Sequence, residues 1–306
     1  MEIIDVHTHL GDILNPDGGD LIWQKGIKKR IGYDIISHSE LQLYKSAPLF
    51  SIEKWIYNQF SLLVTKAEID RNATATLENM ISSMDDNGIK ASVCMPIPPY
   101  LTFSDLKKAS EVNSRIIPFT GVDFTRAYDF EEAFRHEVGS GAKGLKLHPI
   151  IQKVPLSDKR TFDAVEAFAV HGLPILFHCG KASYYLKEER SVKQNPELGT
   201  IDYAQKLVTA FPKVTFIAGH AGMFEYKETI SKLSQYKNVM VDTSFQAPSR
   251  VKELLTAFGP DRVMYASDWP YGNRKPAIKV IKKVCSGDTA LERRLCYENA
   301  AELLSL

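Results

Sequence analysis

The chain has 306 residues, 44% of them hydrophobic and 25% charged, the composition of an ordinary globular protein. That length suits one α/β barrel of about 250 residues carrying an insertion. Its 38 Lys and Arg nearly balance 37 Asp and Glu, so no net field draws it to nucleic acid or to an anionic membrane. No run approaches the roughly 18 unbroken apolar residues of a membrane span, and the start Met-Glu-Ile-Ile-Asp lacks the basic and apolar segments of a signal peptide. The expectation is a cytoplasmic protein.

Short apolar, β-branched runs alternate along the chain with amphipathic stretches, the pattern of βα units. Strands are predicted at residues 3–7, 91–96, 116–122, 144–148, 174–178, 214–218, 239–242 and 263–267. Helices are predicted at 74–87, 104–114, 129–138, 161–171, 201–211 and 290–304, several ending at stop signals such as Asn87-Gly88 and His171-Gly172. Eight strands with alternating helices point to a closed (β/α)8 TIM barrel, one domain over 1–306, rather than a doubly wound sheet. No G-x-G-x-x-G follows the first strand to suggest a dinucleotide site.

Residues 11–70 are too many for a βα loop. Such loops open on the C-terminal face of a barrel, so this insertion is expected to cover the active-site face. Its aromatic residues Trp23, Tyr33, Tyr44, Trp55, Tyr57 and Phe60 suit either a small core of their own or a pocket wall. The cysteines Cys94, Cys179, Cys285 and Cys296 have no C-x-x-C spacing and are expected to be reduced. Cys179 follows His178 directly, and adjacent strand residues point to opposite faces, so the two are not expected to act together.

The first strand runs into Asp5-Val6-His7-Thr8-His9, and its period of two puts His7 and His9 on one side. Alone, this pair reads equally as metal ligands or as buried structural imidazoles. His178, His220 and Asp268 shift the balance, because each falls at the C-terminal end of another strand and all five groups should face one mouth. A carboxylate and several imidazoles gathered in such a place are best explained by a cation. Asp5, two residues before His7, is a candidate acceptor for the second nitrogen of a ligand imidazole. Lys146 and His148 share the parity of Gly144 and should face one side together. After strand eight, Tyr271 either offers its hydroxyl to a substrate or packs beneath its loop, and Arg250 and Arg274 are candidate carboxylate partners.

These residues resemble the amidohydrolase superfamily, specifically its amidohydrolase-related branch (amidohydrolase family 2) of metal-dependent TIM-barrel hydrolases and decarboxylases. The resemblance spans most of the chain. It rests on Asp5-Val6-His7-Thr8-His9, Met84-Asp85-Asp86-Asn87-Gly88-Ile89, Gly144-Leu145-Lys146-Leu147-His148-Pro149, His178, Gly219-His220-Ala221-Gly222, Ser267-Asp268-Trp269-Pro270 and Glu298-Asn299-Ala300.

The resemblance implies one divalent metal, zinc the expected ion, held by His7, His9, His178 and Asp268, with His220 beside it acting on substrate or water. A bound metal lowers the pKa of water from about 16 toward 7, and Asp268 then takes the water's proton and passes it to the leaving group. His220 orients the water or stabilises the oxyanion. In some members of the superfamily a carboxylated strand-four lysine bridges two metals, which would make Lys146 a ligand. With the single metal expected in this branch, Lys146 or His148 contacts an anionic substrate group. The implied reaction is hydrolysis of a small molecule's amide, ester or lactone bond by metal-activated water. The alternative is decarboxylation of an aromatic or related carboxylic acid, which uses nearly the same residues. A barrel that only binds a ligand is a third reading. A related barrel nuclease is a fourth, but those usually carry Glu at the strand-four position. A small-molecule substrate is the expected partner, with a homo-oligomer left open.

Overall fold

The computed structural model describes residues 2–28, 34–37, 40 and 60–306. Among them, eight parallel strands follow one another in space as in sequence: β1 (Ile4–Thr8), β2 (Ala91–Cys94), β3 in two pieces (Ile116–Pro118 and Thr120–Gly121), β4 (Leu145–Leu147), β5 (Ile175–Phe177), β6 (Phe216–Ala218), β7 (Val239–Asp242) and β8 (Val263–Met264). Each lies within its predicted segment or one residue beyond it. Phe119, between the pieces of β3, keeps the ladder running by donating its N–H to Cys94 O, and Thr120 N bonds to Gly144 O. The first and last strands meet through Val6 N to Tyr265 O (3.4 Å), Asp268 N to His7 O (2.9 Å) and His9 N to Trp269 O (2.6 Å), which closes the (β/α)8 barrel.

Helix α1 (Ser61–Asn72) precedes α2 (Leu77–Asn87), which leads into β2, and α3 (Phe103–Val112) and α4 (Phe130–Gly139) form the next two crossovers. They are followed by α5 (Lys159–Ala169), α6 (Ile201–Ala210), α7 (Tyr226–Leu233), α8 (Pro248–Phe258) and α9 (Arg274–Cys285). Thr76 caps α2 by accepting from Asn79 N, and Thr102 and Asp105 form a reciprocal capping box on α3. The helix expected over 290–304 forms as Thr289–Arg293, a π turn at Arg294–Glu298, and Asn299–Leu304. Among the described residues no helix is long and apolar enough to cross a membrane.

Alternation along the strands divides the core in two. Leu145, Leu147, Ile175, Phe177, Phe216 and Val241 pack outward with the helices, whereas Ile4, Val6, Val93, Phe119, Leu176, Ile217, Met240 and Met264 fill the barrel interior, with Ala300 and Leu304 of the last helix packed against them. Gly144 is required for that filling, since a Cβ there would lie 2.3 Å from the ring of Phe119.

β1 breaks the alternation. Its register against β2 shifts between Asp5 and Thr8, so Ile4 and Val6 point inward, Asp5 points out toward the helices, and His7 turns back into the mouth. Asp5 therefore does not share the side of His7, contrary to unbroken period-two parity.

Of the insertion predicted over 11–70, the described parts include a 3-10 turn at Gly18–Trp23 and most of α1. Tyr33, Tyr44, Trp55 and Tyr57 lie outside the described residues. Trp23 and Phe60 are partly exposed, at 44% and 46%. Arg71 and Asn72, at the end of α1, do reach the barrel mouth: Arg71 donates to the carbonyls of Pro270 and Tyr271, and Asn72 Oδ1 accepts from the Tyr271 hydroxyl at 2.8 Å.

Candidate active site

The strand ends carry His7, His9, Lys146, His148, His178, His220 and Asp268 to one place, and none of these residues is more than 6% exposed. His7 donates from Nδ1 to Asp242 Oδ2 (2.8 Å), which leaves its Nε2 as a lone pair facing Lys146 Nζ at 2.7 Å. His9 donates from Nδ1 to Met95 O (3.1 Å), and its Nε2 lies 3.4 Å from Asp268 Oδ1. His220 donates from Nδ1 to Ser244 Oγ (2.7 Å), which in turn donates to Asp242 Oδ1 (2.5 Å), so the Nε2 of His220 also carries a lone pair. The rings of His7 and His220 stack 4.7 Å apart. Gly219 permits the close approach, because a Cβ there would lie 3.2 Å from His7 Cε1. The backbone around His220 runs through left-handed φ values at His220, Ala221 and Met223, costly for residues with side chains. Gln246 Nε2 holds this turn by donating to His220 O (2.6 Å) and Met223 O (3.1 Å).

Burial sets the electrostatics. It pushes the imidazoles of His7, His9, His148 and His220 well below the usual histidine range and that of His178 down to about 3, so all are neutral. Desolvation lowers Lys146 to about 7 against the opposing pull of Asp268 and Asp242. It also raises Asp268 well above the ordinary carboxylate range, with Lys146 acting the other way. Asp268 Oδ1 is buried and has no hydrogen-bond partner among the described residues.

This donor set fits a divalent cation. The lone pairs of His7 and His220 and the orphaned oxygen of Asp268 lie within 4.8 Å of one another, and the second nitrogen of each imidazole is anchored by an acceptor, as metal-bound histidines require.

His178 reaches the same mouth, its ring 5.0 Å from that of His220, but its Nε2 donates to Gly180 O (3.0 Å) and its Nδ1 accepts from the Tyr184 hydroxyl (3.3 Å). No nitrogen of His178, and none of His9, joins the compact group of His7, His220 and Asp268. His148 stacks on His178 at 4.3 Å and caps the one-turn helix Pro149–Gln152 by accepting from Ile151 N. The Tyr271 ring sits edge-on to His9 (5.8 Å) while its hydroxyl is committed to Asn72.

Two candidate arginines turn out to be occupied within the fold. Arg274 is buried against Asp5 (3.1 Å), and Arg250 is buried over the ring of Tyr226. Asp5 is not the acceptor for His7; Asp242 is. Asp242, Ser244 and Gln246 were missed in the sequence, although an Asp closing the predicted strand 239–242 was a visible signal for the first. Cys179 points away from His178 into the helix layer, and burial drives its thiol up to about 12, far from a nucleophile. All four cysteines are free.

A closed parallel barrel with imidazoles, a lysine and a carboxylate at the C-terminal ends of its strands is the architecture of a TIM-barrel enzyme. The amidohydrolase family model matches residues 65–306, and the chain belongs to that family. No curated protein matches it. Among solved structures, the 5-carboxyvanillate decarboxylase of Sphingomonas paucimobilis is 15% identical with a TM-score of 0.64, over 100% of this chain and 99% of that one. A probable 2-pyrone-4,6-dicarboxylic acid hydrolase of Acinetobacter baumannii is 15% identical with a TM-score of 0.60, over 100% of both chains. The 5-carboxyvanillate decarboxylase of Novosphingobium aromaticivorans, complexed with manganese and 4-hydroxy-3-methoxy-5-nitrobenzoic acid, is 16% identical with a TM-score of 0.64, over 99% of this chain and 96% of that one. At such identities the likeness establishes the fold.

Proposed function

We propose that the protein is a metal-dependent hydrolase of a small molecule's amide, ester or lactone bond, with Asp268 as the proton carrier. The observation that supports this most directly is Asp268 Oδ1: buried, without a hydrogen-bond partner among the described residues, made more basic by its surroundings, and 3.4 and 3.6 Å from the Nε2 atoms of His9 and His7. His7 and Asp268 of the compact group, with His9, whose Nε2 lies 3.4 Å from Asp268 Oδ1, would hold one divalent ion, zinc or manganese; His220, the third member of that group, would stand beside it, and His178 would be a further ligand if its ring turns from Gly180. The bound ion would polarise the substrate carbonyl and acidify water.

The chain's own groups supply the rest. Asp268 Oδ1 takes the proton of the attacking water and returns it to the leaving nitrogen or oxygen. His220, with Nδ1 donating to Ser244, presents an acceptor at Nε2 and so orients the water or a substrate hydroxyl. Oxyanion stabilisation then falls to Lys146, the donor beside His7, which also suits a substrate carboxylate. A carboxylated Lys146 bridging two metals is the competing arrangement, and two tightly bound equivalents of metal per chain would favour it.

Decarboxylation is the second reading, supported by the decarboxylase names of two of the structures above. Assay of the metal-loaded protein in ¹⁸O-water separates the two. Label entering the product of a lactone, ester or amide is the expected result, with 2-pyrone-4,6-dicarboxylate as one lactone tested. Carbon dioxide released from hydroxybenzoates, with no lactone, ester or amide turned over, overturns hydrolysis.

A further inference from the structure

On the helix side of β1, beyond reach of any substrate, Asp5 and Arg274 form a fully buried ion pair. We propose that Asp5 is a positioning residue that, through Ser267, sets the Asp268 carboxylate against His7 and His9; this rests on the reading of Asp268 as a metal-holding group.

Asp5 spends both oxygens on the segment that carries Asp268. Oδ1 accepts from Ser267 N (2.9 Å), and Oδ2 accepts from Ser267 Oγ (2.6 Å) and Arg274 Nε (3.1 Å). Ser267 Oγ in turn accepts from Trp269 N (3.1 Å). The residues on both sides of Asp268 are thereby tied to one β1 side chain, while Asp268 N is tied to His7 O (2.9 Å). The hold is needed because Asp268 sits at φ 58°, a left-handed conformation that residues with a side chain adopt at a cost.

The β1 register shift completes the device. It sends Asp5 outward and His7 inward, so that Asp5 holds Ser267 from outside while His7 O holds Asp268 N and the His7 ring faces the Asp268 carboxylate from inside. Burial pushes the Asp5 carboxyl above the usual carboxylate range, with Arg274 and the Ser267 donors pulling the other way, and the remaining nitrogens of Arg274 are fixed by Met80 O (3.2 Å) and Ser92 Oγ (2.8 Å). A buried ion pair adds little stability over an apolar pair of the same size. What an apolar pair lacks is two directed acceptors for the Ser267 N–H and O–H.

Ser267→Ala tests this with the ion pair left in place. Chelator-stripped protein is titrated with Mn²⁺, and the variant should bind about 10- to 100-fold more weakly than the parent chain, the usual effect of removing a group that orients a ligand. Ser267→Thr, which keeps the hydroxyl, should restore affinity. Leu207→Ala on α6, a cavity variant far from the site, should lose thermal stability and keep its Mn²⁺ affinity. Unchanged affinity in both Ser267→Ala and Asp5→Asn overturns the proposal. If the parent chain binds no Mn²⁺, the metal reading falls while the clamp is still judged, by a crystal structure of Ser267→Ala. Asp268 leaving its left-handed φ, with Oδ1 moved by about 1 Å or more, supports the clamp; an unmoved Asp268 overturns it.

Discussion

The two halves of the barrel interior are equally hidden from water and chemically opposite. The lower half is Ile4, Val6, Val93, Phe119, Leu176, Ile217, Met240 and Met264. The upper half is His7, His9, Lys146, His148, His178, His220 and Asp268. Burial stabilises the first set and penalises the second, because polar groups taken from water must recover their hydrogen bonds inside. Most do so through Asp242, Ser244, Met95 O and Gly180 O, and among the described residues Asp268 Oδ1 does not. The unrecovered group marks where the fold gives up stability for chemistry.

The largest effect should separate the halves outright. Asp268→Asn is expected to cut turnover by about 10²- to 10⁴-fold, the usual worth of a general acid–base group, while raising the melting temperature. Full turnover of an identified substrate by this variant would remove Asp268 from the proton path. Phe119→Ala is the converse, expected to cost about 3–5 kcal/mol in urea unfolding because a ring at the barrel axis leaves a cavity. Asp242→Asn should weaken metal binding by about 10- to 100-fold, since it removes the anchor of His7 Nδ1 and leaves the stacked rings in place; equilibrium titration checks this.

A smaller effect comes from the rim. Burial raises the Glu68 carboxyl on α1 to about 8 against the pull of Arg71 and Arg190. The folded form therefore binds more protons than the unfolded one between the ordinary value of 4.5 and about 8, so this group's contribution to stability is lost as pH rises through that window. Glu68→Gln should match the parent chain's melting temperature near the lower end and exceed it above the upper end. An equal difference at both ends would show that the carboxyl does not titrate there. The smallest effect is expected at an exposed pair: Lys159→Ala, which breaks its contact with Asp163, should change stability by less than about 0.5 kcal/mol.

Much of this was legible in the chain. Each strand was a β-branched run bounded by turn residues, and those signals act over a few neighbours, so all eight were found to within a few residues. His7, His9, His178, His220 and Asp268 could be assigned to one mouth because the end of a barrel strand has only one place to go. Asp5, a candidate acceptor for a ligand imidazole, serves elsewhere because period two fixes a side chain's face only while the pleat is regular, and the β1 register shift turns Asp5 and His7 to opposite sides. Arg274, a candidate carboxylate partner, finds its carboxylate in Asp5 inside the fold, because a local sequence does not say which protein groups will be opposite after closure.

By itself, then, the sequence determined the element order, the barrel and the cast of residues at its mouth, all consequences of local periodicity and strand-end position. Tertiary structure alone decided which nitrogen of each imidazole is free, that Asp242 rather than Asp5 orients His7, and that His178 faces Gly180. Those are contacts between strands far apart in the chain, and they come into being only when the first strand meets the last.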